Sequence, residues 1–164
     1  MRIREATEDD FDEIGRLTVA AYRALDTWVG DDYAAHLADV ATRAGAENTL
    51  VLVAEDETDG RILGSVTLTL GGGPYFEWNH GVDGDCGFRM LAVDPAAQGR
   101  GAGPRLVVEC LDRARAAGCR RMIIGSTEWM TAAHRIYERL GFRRAPELDQ
   151  QWGDIRGLCF TLDL

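Results

Sequence analysis

Lysine is absent from this 164-residue sequence, so all 18 of its basic residues are arginines. No apolar run approaches the roughly 20 residues that a membrane-spanning helix needs. The opening segment MRIREATEDD also lacks the apolar core of a signal peptide. These absences predict a soluble, cytoplasmic protein with no membrane partner.

Cysteine and histidine are too scattered to indicate a metal site. The four cysteines and three histidines show none of the paired spacings of zinc sites, and the cysteines do not form a disulfide pattern. We therefore expect no metal cofactor and reduced thiols, as in a reducing compartment. The residues concerned are Cys86, Cys110, Cys119, Cys159, His36, His80 and His134.

The net charge of −9 is unevenly distributed. Residues 1–60 carry a net charge of −10, whereas residues 95–145 carry +6. An acidic protein repels nucleic acid at long range, and no aromatic residues are interleaved with the arginines as in single-strand binders. We therefore expect no nucleic-acid partner, and the basic block better fits a small polyanion.

Hydrophobic periodicity predicts one mixed α/β domain over residues 1–164. Two β-branched runs joined by Asp-Glu-Thr-Asp-Gly form a hairpin, and a strand, a glycine-rich loop and a helix follow. A right-handed crossover through that helix would lay the next strand parallel to the one before it. The predicted strands are residues 3–6, 49–55, 61–70, 88–93, 121–125 and 155–162, and the predicted helices are residues 8–25, 31–44, 106–117 and 131–140.

The segment QGRGAGPRL, residues 98–106, places three glycines directly before a helix. Free backbone amides and the helix dipole favour negative charge there, and glycines let the backbone approach an anion closely. Neither common nucleotide motif fits, because GxxxxGK[ST] needs a lysine and glycines at positions 99, 101 and 103 do not match GxGxxG.

The longer segment LAVDPAAQGRGAGPRL resembles the acetyl-coenzyme A (acetyl-CoA) loop of the GNAT superfamily of N-acetyltransferases. The segment AAHRIYERLGF, residues 132–142, resembles a later helix-and-strand signature of the same superfamily. Two motifs in the right order are more specific than either alone. The resemblance extends to the opening helix and the hairpin, but not to residues 26–48 and 71–85.

This resemblance implies a GNAT-like fold, a mixed, mostly antiparallel sheet that is splayed at two parallel strands and flanked by helices. Acetyl-CoA would lie in the opening as the acyl donor. The backbone of Leu91, Ala92 and Val93 would bind the pantetheine arm, and an amide of this strand would polarise the thioester carbonyl. The pyrophosphate would be wrapped by Gln98, Gly99, Arg100, Gly101, Ala102, Gly103 and Pro104, with Arg100 and Arg105 available to neutralise phosphates.

The resemblance also suggests catalytic residues. Tyr137 occupies the position whose hydroxyl faces the coenzyme A sulfur as general acid, although the helix pattern alone would make it a packing residue. Gly87 occupies the position at which the superfamily often has a glutamate that acts as the general base. Asp85, on the same face of an extended strand, is the nearest substitute, and Glu77 is a second candidate. A chain of water molecules could take the place of a side-chain base, and an amine that binds in its neutral form would need no base. Met130 replaces an asparagine that often contacts the cofactor.

We predict that the acceptor is a primary amine of a cationic small molecule or peptide, because the segments outside the basic block are acidic and would steer a cation. Aromatic residues, some of them in the long loop over residues 71–85, could line its pocket. They are Trp28, Tyr33, Tyr75, Phe76 and Trp78. The alternative is a non-catalytic sensor of acyl-CoA, consistent with the missing glutamate. Exposed edge strands leave homodimer formation open.

Overall fold

The structure is a computed structural model that describes residues 1–25, 29–76 and 83–164. Within these residues, eight strands form one mostly antiparallel sheet flanked by helices, the predicted fold class. The strands are β1 (Arg2–Glu5), β2 (Thr49–Glu55), β3 (Ile62–Thr69), β4 (Asp85–Val93), β5 (Arg121–Thr127), β6 (Arg143–Arg144), β7 (Gln150–Trp152) and β8 (Ile155–Asp163). The helices are α1 (Phe11–Leu25), α2 (Asp31–Ala38), α3 (Val40–Ala44), α4 (Ala102–Ala116) and α5 (Thr131–Arg139).

The sheet splays at its parallel pair, β4 and β5. Its order is β1-β2-β3-β4-β5-β8-β6, with β7 on β8, and the pairs other than β4–β5 are antiparallel. The two parallel strands pair only at Asp85↔Arg121 and Cys86↔Met122, although both continue beyond these residues. The parallel crossover and the splay that the sequence predicts are confirmed.

A bulge in β4 accompanies this divergence. The register with β3 shifts between Ser65 and Thr67, and Met90 adopts a φ of 53°, a left-handed conformation that is uncommon for a residue other than glycine. An extra residue bends a strand and increases its twist. The bulge therefore turns the end of β4 away from β5 and opens the sheet.

The helices cover the two faces of the sheet and enclose separate cores. Along β2, Leu52 packs into the core under α4 and α5, whereas Val53 packs into the core under α1, α2 and α3. This alternation is what a strand buried on both faces requires. Among the described residues, no helix is long and apolar enough to cross a membrane.

The prediction for one helix was wrong, and two short strands were missed. Residues 31–44 form two helices instead of one, because the Asp39 carboxylate accepts a hydrogen bond from the Thr42 amide (3.1 Å) and so caps a new helix. The two- and three-residue strands β6 and β7 were not predicted, since segments this short carry no periodic signal.

Candidate active site

Two adjoining pockets lie where β4 and β5 diverge. The larger, here called the cleft, has a volume of about 900 Å³, and the smaller, here called the side pocket, about 320 Å³. Because the strands no longer pair here, their backbone N–H and C=O groups can bind a ligand. The residues that line both pockets are Tyr22, Arg89, Met90, Gly125 and Met130.

The glycine-rich loop forms one end of the cleft. Gly101 is the N-cap of the 15-residue helix α4, with a φ of 84° that favours glycine. The first amides of such a helix lack partners within it, and its dipole favours an anion. Six of the seven predicted loop residues line the cleft: Gln98, Gly99, Gly101, Ala102, Gly103 and Pro104.

The two loop arginines that were predicted to neutralise phosphates are engaged elsewhere. The Arg100 guanidinium donates to the Asp56 carboxylate (2.6 Å) and lowers the pKa of Asp56 to about 2. The Arg105 guanidinium donates to the Met1 carbonyl (2.9 Å). Neither side chain is among the residues that line the cleft.

Helix α5 supplies two arginines that the sequence analysis missed. Arg135 and Arg139, four residues apart and both exposed, line the cleft together with the glycine-rich loop. Residues at this spacing share one helix face. The motif AAHRIYERLGF contained both arginines, which flank Ile136, Tyr137 and Glu138, but only Tyr137 was considered in the sequence analysis.

The predicted pantetheine strand borders the cleft. Leu91 and Val93 line it, whereas the Ala92 side chain is buried in the opposite core. The strand alternation separates them in this way. Backbone N–H and C=O groups alternate between the two edges of a strand, and the Asp94 amide donates to the Leu63 carbonyl on the β3 edge. The backbone groups of the three residues therefore do not all face the cleft.

Tyr137 is both a packing residue and a residue of the cleft. Its ring is 4% exposed and lies with its centroid 5.6 to 5.8 Å from those of three phenylalanines, Phe88, Phe142 and Phe160. Burial raises the pKa of the Tyr137 phenol. The phenol therefore stays protonated at neutral pH and can give a proton to a ligand in the cleft.

Asp85 lies outside the lining of both pockets. Both of its carboxylate oxygens accept hydrogen bonds from Arg121, at 3.0 Å from Nε and 2.7 Å from Nη2. Asp85 also lies five residues before Met90, roughly 16 Å along an extended strand. The structure thus does not bring this predicted base to the cleft.

Position 87 cannot carry a side chain without a backbone shift. A Cβ atom on Gly87 would lie 2.4 Å from the Ile123 carbonyl oxygen of β5. A glutamate at this position would therefore require β4 or β5 to move. Glu77, the second candidate base, lies outside the described residues, as do Trp28 and Trp78.

The other predicted aromatic residues divide between the side pocket and the core. Tyr33 lines the side pocket, whereas Tyr75 and Phe76 are buried in two different cores. The complete described lining of the side pocket is Tyr22, Tyr33, Arg89, Met90, Gly125, Ser126, Thr127, Met130, Trp152 and Ile155. Tyr22 and Trp152 were missed because they belong to α1 and β7, far from either motif.

Arg89 gives the side pocket a positive character. It is the charged residue in the described lining, which includes no carboxylate. Its guanidinium carbon lies 5.9 Å from the centroid of the Tyr75 ring. Burial and the nearby Arg89 charge lower the pKa of His36. No group of residues that could hold a metal ion is present in the described part of the chain.

Comparison with known sequences and structures identifies related proteins. Residues 8–142 match the acetyltransferase (GNAT) family. A glucosamine 6-phosphate N-acetyltransferase of Trypanosoma brucei brucei is 32% identical over 109 residues, 66% of this chain and 67% of that protein. Glucosamine 6-phosphate N-acetyltransferase 1 of Oryza sativa subsp. japonica is 36% identical over 98 residues, 60% of this chain and 54% of that protein.

A solved structure shows the same fold. The structure of yncA from Salmonella typhimurium, solved with its cofactor acetyl-CoA, has a TM-score of 0.69 to this chain and 24% sequence identity. The match covers 100% of this chain and 94% of that one. At this identity the likeness concerns the fold alone.

Proposed function

Since the chain belongs to the GNAT family of acetyltransferases, and so is an N-acetyltransferase that uses acetyl-CoA, we propose that it acetylates a primary amine by direct attack. The observation that carries this proposal is the cleft between β4 and β5, which joins the glycine-rich loop to Tyr137. The side pocket, which shares five lining residues with the cleft, would hold the amine.

The phosphates of the cofactor would lie between the glycine-rich loop and α5. Amides at the start of α4 would donate to the pyrophosphate, and Arg135 and Arg139 would add positive charge from the other wall. Among the loop residues, Arg100 would act indirectly, because its bond to Asp56 ties the loop to the β2–β3 hairpin.

We expect Arg135→Gln combined with Arg139→Gln to raise the KM for acetyl-CoA about tenfold, since two charge-assisted contacts to phosphate would be lost. Arg105→Gln is the matched control, because its guanidinium bonds to the Met1 carbonyl and should leave this KM within about twofold of the wild-type value. Initial rates of thiol release at several cofactor concentrations measure both. An equal change of the KM for acetyl-CoA in the double variant and in Arg105→Gln would contradict the placement of the phosphates beside α5.

Tyr137 would act as the general acid. The neutral amine attacks the thioester carbonyl, an amide of the β4 segment that lines the cleft stabilises the oxyanion, and the C–S bond then breaks. The Tyr137 hydroxyl gives its proton to the departing thiolate, and a proton from the acetylated nitrogen replaces it through solvent. The products are the N-acetylated amine and free coenzyme A.

The charge of the acceptor is where sequence and structure differ. The acidic segments favour a cationic amine at long range, but the side pocket presents Arg89 at contact distance. We propose that the acceptor carries a phosphate or carboxylate beside its amine, which Arg89 would bind. The names of two relatives, both glucosamine 6-phosphate N-acetyltransferases, describe an amine of this kind.

An acceptor panel tests this proposal. Glucosamine 6-phosphate and glucosamine differ only in the phosphate, and spermidine represents a cationic acceptor. We expect glucosamine 6-phosphate to have the highest kcat/KM, and Arg89→Gln to lower that value about 10- to 100-fold while changing the value for glucosamine little. A preference for spermidine would restore the cationic prediction and contradict the role of Arg89.

A further inference from the structure

Direct attack requires a neutral amine, yet Asp85, one of the two residues predicted to deprotonate it, is not in place, and the other, Glu77, lies outside the described residues. Position 87 is a glycine with no room for a Cβ atom unless the backbone shifts, and Asp85 is bound by Arg121 outside the lining of both pockets. An ammonium group has no lone pair with which to attack a carbonyl. Among the described residues, a proton acceptor for the amine would have to lie in or beside the side pocket.

Ser126 and His134 form a hydrogen-bonded pair that reaches this pocket. Ser126, on β5, lines the side pocket directly beside Gly125, which lines both pockets. Its hydroxyl oxygen lies 3.0 Å from Nε2 of His134 on α5. Ser126 is only 3% exposed, so bulk solvent has little access to its hydroxyl. The hydrogen bond to the imidazole therefore orients this hydroxyl.

The surroundings of His134 favour an imidazole that can take up a proton. Burial lowers its pKa below the usual value, so the ring is neutral at pH 7. The charged and titratable groups around it are Glu138 and Tyr137 on its own helix and Arg144 on β6. A hydrogen bond to the Thr127 backbone and the Glu138 charge favour the protonated ring, and Arg144 opposes it.

We propose that Ser126 and His134 form the proton relay that deprotonates the acceptor amine. Ser126 is the catalytic residue of the pair, because it would contact the substrate, and His134 acts through it. The inference rests on the proposed amine acetylation and supplies the base that the proposal lacks.

The relay moves one proton and leaves both side chains as they began. The ammonium group passes a proton to the Ser126 oxygen while the Ser126 hydroxyl proton moves to Nε2 of His134. The amine nitrogen regains its lone pair and forms the C–N bond, and the imidazolium then releases its proton to solvent. Together with the proton given by Tyr137, this accounts for all proton transfers in amide formation.

Replacing His134 with glutamine separates proton transfer from packing, because a side-chain amide can still hydrogen-bond Ser126 but cannot titrate. At pH 7 we expect His134→Gln to lower kcat/KM for the best amine of the panel about 10- to 100-fold. The ratio of the wild-type kcat/KM to that of the variant should approach one above the pKa of the amine, because the amine is then already neutral and the relay is not needed. Ser126→Ala should show the same pH-dependent deficit.

The controls distinguish a relay from a structural contact. His36→Gln removes another partly buried imidazole, one outside both pocket linings, and should leave the pH profile unchanged. Melting temperature and acetyl-CoA affinity verify that each variant is folded. A deficit in His134→Gln that is equal at all pH values, or no deficit, would overturn the relay alone. A wild-type protein that releases no thiol with any amine would overturn both the relay and the proposed function.

Discussion

Replacing Tyr137 with phenylalanine is expected to lower kcat by about two to three orders of magnitude, the usual contribution of a general acid. The ring would keep its packing against Phe88, Phe142 and Phe160, and only the hydroxyl would be lost. The KM for acetyl-CoA should change little, because in the proposed mechanism the phenol would act on the leaving thiolate and not on the phosphates. Steady-state thiol release measures both constants.

Tyr75→Phe is the matched control for this experiment. Tyr75 is also a buried tyrosine, but it lies outside the lining of both pockets. Its variant should therefore retain kcat within a few-fold of the wild-type value. If Tyr137→Phe also retained its kcat, Tyr137 would be a packing residue, and the thiolate would have to leave unprotonated or take its proton from water.

Gly101→Val is expected to weaken acetyl-CoA binding at least tenfold. A β-branched residue at a φ of 84° is strained by roughly 1–3 kcal/mol, and relief of this strain would move the amides at the start of α4. No atom lies within 4 Å of the position of a Cβ there, so the effect would arise from the backbone and not from a clash. Calorimetric titration measures the affinity.

Gly118→Val is the matched control, because it introduces a similar backbone strain at a position outside the lining of the cleft. Gly118 follows the other end of α4, has a φ of 79° and likewise has open space around a Cβ position. Both variants should lose similar stability in thermal unfolding, but Gly118→Val should keep its cofactor affinity. Equal losses of affinity would mean that global destabilisation, and not the loop geometry, decides binding.

Local signals predicted the fold around the glycine-rich loop well. The loop between β4 and α4 depends on glycines and a proline that are adjacent in sequence, so its conformation can be inferred from the segment itself. The parallel pairing of β4 and β5 follows from the handedness of the crossover. Tyr137 could be placed because its helix belongs to a motif of fixed spacing.

Contacts between distant segments could not be predicted in this way. The bonds of Arg100 to Asp56 and of Asp85 to Arg121 join residues 44 and 36 positions apart. Because of these two bonds, Arg100 and Asp85 do not line the cleft, although the sequence analysis had assigned both residues to the site. The bulge at Met90 and the Ser126–His134 pair likewise depend on how neighbouring strands and helices pack, which no single segment specifies.

A thermal melt of the wild-type protein over a series of acetyl-CoA concentrations tests the central claim most directly. A ligand that binds only the native state raises the melting temperature by mass action, by roughly 5–10 °C at a hundredfold excess over its Kd for a chain of this size. The account predicts a saturable rise of this order with acetyl-CoA. No rise at millimolar acetyl-CoA would contradict the placement of the cofactor in the cleft.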